Sequence, residues 1–65
     1  MLVMSRHFRE DALAVLRALP ADQPMAEIPD AKGFFVYRGG DVPEGFAFLE
    51  RLEEGELVGV LCQKK

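Results

Sequence analysis

Only one cysteine stands among the 65 residues, and tryptophan, threonine and asparagine are absent altogether. A lone thiol, Cys62, cannot close an internal disulfide. Together with the single histidine, His7, it is too small a set for a zinc site unless several carboxylates join them. A chain of this length is one domain at most. Such a domain buries only about 60% of the surface its unfolded chain exposes. Proteins this small usually add disulfides, a metal, a partner or very idealised packing. With the first two excluded, association with another chain becomes the leading reinforcement.

Long hydrophobic runs are also missing. No stretch approaches the length of a membrane span, and the apolar start (Met1 to Met4) meets Ser5, Arg6 and His7 after four residues. That pattern is not a signal peptide. One cysteine and no export signal lead to the expectation of a reducing, cytoplasmic location. Arginine outnumbers lysine five to three, a compositional habit that suggests a bacterial or phage genome. Charge is uneven along the chain. Residues 1–20 carry a net +1, residues 21–56 a net −6, and residues 57–65 a net +2. An acidic chain without a basic stripe is a poor fit to a phosphate backbone, so nucleic acid is not the expected partner.

What is present begins with a helix over residues 5–19. Phe8, Ala12, Val15, Leu16 and Leu19 fall on one arc at helical spacing. Ser5 suits the N-cap, where its hydroxyl accepts from an unpaired backbone N–H. Pro20 ends the ladder. Residues 25–28 form a short strand, and residues 29–33 carry turn chemistry, with Pro29, Asp30 and Gly33. Phe34, Phe35, Val36 and Tyr37 form the clearest strand, all aromatic or β-branched. Residues 38–45 hold three glycines and a proline and form a loop. Two readings compete beyond it. In the first, residues 46–53 and 56–63 make a hairpin around a Glu54-Gly55 turn. In the second, residues 43–54 are helical, with Asp41 and Glu44 at capping-box spacing. The strand-like run from Leu57 to Cys62 needs a neighbour, and the hairpin supplies it. The expected fold is α+β: one amphipathic helix on a three- or four-stranded antiparallel meander.

Strands alternate faces. A Glu54-Gly55 turn pairs Leu52 with Leu57, Glu50 with Gly59 and Phe48 with Leu61. Phe46, Phe48, Leu52, Leu57 and Leu61 then form the bulkier face, expected beneath the helix. Phe35, Tyr37, Leu49, Val58, Val60 and Cys62 form a second apolar face. One helix covers one face only, and a small antiparallel sheet normally shows water a polar second face. The second face is therefore expected to be an association surface, with Arg38 and Asp41 of the adjoining loop contributing. The competing reading has residues 1–4 and 20–28 fold back over it.

The search for chemistry gives little. His7 has no identifiable orienting partner, and Cys62 reads as a small apolar strand residue. Glu50, Glu53, Glu54 and Glu56 lack calcium-loop spacing. Arg38-Gly39-Gly40-Asp41 has no phosphate-loop pattern. No catalytic residue, metal, cofactor or small-molecule substrate is expected, and an enzyme is not. The expected function is surface occupation: a homodimer, an assembly subunit, or an inhibitor or modulator of another protein. The runner-up is a dimeric nucleic-acid-associated regulator using Arg6, Arg9 and Arg17.

Overall fold

The computed structural model describes residues 6–65, with side chains from Phe8 onward. The expected Ser5 cap, the cover by residues 1–4, and the side chains of Arg6 and His7 lie outside the described residues. Helix α1 spans Arg6–Ala18. Ala12, Leu16 and Leu19 are buried along it, with Phe8, Leu13 and Val15 packed beside them. The arc read from the sequence is thus the packed face. The last turn closes with the Leu19 N–H donating to the Leu16 carbonyl at 3.4 Å, and Pro20 stops it.

Four strands follow: β1 (Met25–Glu27), β2 (Phe34–Arg38), β3 (Phe46–Glu54) and β4 (Leu57–Lys64). All neighbours are antiparallel, and the spatial order is β1-β2-β4-β3. The sheet is meander-like, built from two hairpins joined through β2 and β4. Residues 46–54 are a strand, so the hairpin reading holds over the helical one. The reason is β4: Val60, Leu61 and Cys62 are all fully buried, so its backbone N–H and C=O groups need partners along both edges, and residues 46–54 supply the second ladder. In the first hairpin Asp30 adopts φ 63° and Gly33 φ 90°. The Glu27 carboxylate accepts from the Gly33 N–H at 2.8 Å and ties the turn to β1.

The second hairpin corrects the expected register. Its two turn residues are Gly55 and Glu56, not Glu54 and Gly55, because Glu54 pairs with Leu57. Gly55 takes φ 60° at the first turn position, where type II′ turns require glycine. Leu52 therefore faces Gly59, and Glu50 faces Leu61. A bulge interrupts the ladder between Phe48 and Glu50. Leu49 is the extra residue, and it packs against the helix-side core. Beyond the bulge Phe48 pairs with Cys62, and Phe46 with Lys64. Phe46 and Phe48, expected beneath the helix, are therefore turned to the opposite face. Leu49 has taken the reverse path. Leu57, also expected in the core, is 36% exposed at the strand end.

α1 packs across β2, β4 and β3. At one end the rings of Phe8 and Phe34 meet edge to face, with centroids 5.5 Å apart. Arg9 pairs with Glu50, and further along Arg17 pairs with Glu54. Glu50 thus lies on the helix face, and its carboxylate meets a helix cation at the rim of the core. Gly59 lets α1 come close. A Cβ there would stand 2.8 Å from Leu16 Cδ1 and 2.9 Å from the Tyr37 carbonyl oxygen.

Strand order also determines the path of residues 39–45. β2 and β3 run parallel, with β4 between them. The chain must travel from the level of Gly59, opposite Arg38, to that of Lys64, opposite Phe46. The helix fills one face, so the connection crosses the other. Val42 and Pro43 are half-buried within it. Val60 and Cys62, on the face away from α1, are 0% exposed.

Candidate interaction surface

The face opposite α1 carries Phe35, Tyr37, Phe46, Phe48, Val58, Val60 and Cys62, together with Arg51 and Glu53. These residues differ greatly in exposure. Val60 and Cys62 are completely covered within the chain, and Phe35, Tyr37 and Val58 are half-buried. Phe35 and Phe46 meet edge to face across β4, with centroids 5.2 Å apart and planes at 83°. Phe48, next along β3, is 55% exposed and is the most exposed large apolar side chain among the described residues.

Of the expected surface residues, Phe35, Tyr37 and Val58 are brought together with part of their area open. Val60 and Cys62 share that face but lie beneath it. Leu49 is on the helix side. The residues expected to share this face do so in β2 and β4, but Val60 and Cys62 are buried on it, and in β3 the bulge exchanges Leu49 for Phe48 and Phe46. No bulge signature stands in residues 46–50, so alternation alone could not find them.

Arg38 is a structural clamp. Its guanidinium donates to the carbonyls of Leu19 at 2.8 Å, Pro20 at 3.1 Å and Ala21 at 3.5 Å. These carbonyls follow the C-terminal end of α1, where helical acceptors run out and the macrodipole favours a cation. Its side chain thus reaches the helix side of the sheet. Asp41 is exposed in the connection, and its carboxylate accepts from the Val42 N–H at 3.1 Å. That is a local turn contact, distant in character from the apolar face.

The Cys62 thiol is closed off. Its S–H donates to the Phe35 carbonyl at 3.6 Å, and burial pushes its pKa up, which keeps it protonated and unreactive. Among the described residues no group of three or more His, Cys, Asp or Glu side chains is placed to hold a metal ion. No helix there is long and apolar enough to cross a membrane. A shallow groove of about 350 Å³ runs between α1 and the first hairpin, lined by Asp11, Ala14, Val15, Ala18, Pro29 and Asp30. It offers two carboxylates and small apolar side chains, with no nucleophile or base-and-partner pair. No protein-family model matches this chain, and no curated protein or solved structure is significantly similar to it.

Proposed function

We propose that this protein is a small interaction module, working by occupying a surface on another polypeptide. The observation that supports this reading is Phe48. A phenylalanine that is 55% exposed on a sheet face already lined by Phe35, Tyr37, Phe46 and Val58 is a hydrophobic contact without a cover. Contiguous apolar surface of this kind marks binding sites in small soluble domains. The partner is a second copy or another protein, so the molecule acts as a homodimer, an assembly subunit or an inhibitor. A cytoplasmic setting suits its single reduced thiol.

The alternative of a nucleic-acid-associated regulator gains nothing from the packing. Arg9 and Arg17, two of the three arginines on which it relies, already carry Glu50 and Glu54, which reduces the charge they offer to phosphates. The test of the module reading is Phe48→Glu. Its fold is monitored by circular dichroism, and its association by light scattering behind a sizing column and by affinity capture. The charged variant is expected to stay folded and to lose self-association or capture. Unchanged association would remove Phe48 from the contact, and a wild-type chain that binds nothing and stays monomeric would defeat the reading.

A further inference from the structure

The sheet has two edges, and they are built differently. β1 is three residues long, with Pro24 before it and Pro29 two residues after it, the arrangement that blunts an edge. β3 is nine residues long, and among the described residues no strand pairs with its outer side. Its backbone directions follow from the ladder. The Gly39 N–H donates to the Val58 carbonyl at 3.0 Å, and the Lys64 N–H to the Gly33 carbonyl at 2.9 Å. Val58 and Lys64 therefore turn their backbone groups toward β2. By alternation Leu57, Gly59 and Leu61 turn theirs toward β3, where they meet Glu54, Leu52 and Glu50. The residues between, Arg51 and Glu53, aim their N–H and C=O groups outward.

We propose that β3 pairs antiparallel with β3 of a second copy about a two-fold axis at Leu52, placing Arg51 of each copy opposite Glu53 of the other. This goes beyond the interaction-module reading, whose contact is the Phe48 face, and concerns a separate surface, the outer edge of β3. The register is selected by charge. Arg51 and Glu53 are the residues whose backbone can bond across the seam; their side chains share one face and pair with each other at 3.4 Å within each copy, so this register gathers two arginines and two glutamates in alternation. Sliding the pairing by two residues sets Arg51 against Arg51, or Glu53 against Glu53, and like charges directly opposite are destabilising. On the other face Glu50 falls opposite Glu54 of the second copy. Glu50 is already paired with Arg9, and Glu54 with Arg17, so neither carboxylate meets the other unneutralised. The bulge at Leu49 and the turn at Gly55 confine the seam to residues 50–54. The dimer is therefore reversible, and Phe48 lies outside the paired segment. A two-fold axis normal to the sheet puts both helices on the same face.

The test is sedimentation of the full chain from micromolar to millimolar concentration. The species compared are wild type, Arg51→Glu, Glu53→Arg and the double swap. Both side chains are more than half exposed, at 57% and 61%, so the swaps leave the fold intact, which circular dichroism checks. Each single variant is expected to weaken dimerisation by about tenfold or more. The double swap restores it, and the two single variants mixed together form a heterodimer. The amides of Arg51 and Glu53 gain hydrogen-exchange protection as concentration rises. A wild-type chain monomeric throughout, or a dimer indifferent to the swaps, overturns the seam. If that dimer is lost in Phe48→Glu, or if a monomer binds another protein through Phe48, the module reading survives while the seam falls.

Discussion

At the scale of single residues, two positions hold the helix and sheet together by different means, and a third makes stability depend on pH. Gly59 contributes by having no side chain. Because one of the two atoms crowding an added Cβ is a backbone oxygen, Gly59→Ala is expected to cost about 1–3 kcal/mol of unfolding free energy in urea titration, the usual penalty of overpacking. Arg38 contributes by reach. Its donors satisfy three carbonyls after α1, and Arg38→Met is expected to cost about 1–3 kcal/mol in the same assay. Arg38→Lys recovers only part of it, since an ammonium lacks the planar fork that spans several acceptors. Cys62 adds a pH dependence. Its thiol pKa is raised in the folded state. Below about pH 8.5 both folded and unfolded chains keep the proton, so Cys62 contributes no slope. Above that, the unfolded chain releases the proton while the native chain holds it, so stability falls as pH rises until the native thiol ionises as well. Denaturant titrations from pH 8 upward are expected to show this decline in wild type and its loss in Cys62→Val. The sequence pointed to none of these roles for Arg38 and Gly59, because each depends on residues about twenty or more positions away.

At the scale of elements, legibility depended on how local the determining signal was. α1 was readable because its apolar arc and its stop at Pro20 lie within the segment itself. β2 was readable from four consecutive strand-forming residues. The turn of the second hairpin was misplaced by one residue. Glu54-Gly55 and Gly55-Glu56 contain the same glycine, and only the φ of 60° at the first turn position distinguishes them. Gly55→Ala is expected to cost about 1 kcal/mol, the difference between glycine and a Cβ-bearing residue at positive φ. Gly40→Ala, where φ is not positive and a Cβ meets open space, is expected to be neutral in a thermal melt. The bulge was invisible for a different reason. It is a relation between β3 and β4, and either strand read alone still alternates. Its effect on the candidate surface was large, since it moved Leu49 into the core and Phe48 out to solvent.

At the scale of the whole molecule, the shortage of internal reinforcement has been met in part within the chain. Val60 and Cys62, where cover by a partner was expected, are fully buried within the chain. What remains open is narrower: Phe48 with its neighbours, and the outer edge of β3. If the chain dimerises, its melting temperature is expected to rise with protein concentration, because association stabilises the folded form by mass action. Arg51→Glu is expected to flatten that dependence. The strand order has a further consequence, for how the fold is reached. β4 is the strand next to both β2 and β3, yet it follows both in sequence, and Val36 and Leu61 meet across about 25 intervening positions. Until β4 is available, the helix and the first hairpin can make only their contacts with each other, such as Phe8 on Phe34 and Arg38 on the carbonyls after α1. Closing that loop is an entropic cost met before the core rewards it. Assembly should therefore be a single cooperative event, in which the sheet and the helix-covered core appear together once β4 slots between its neighbours.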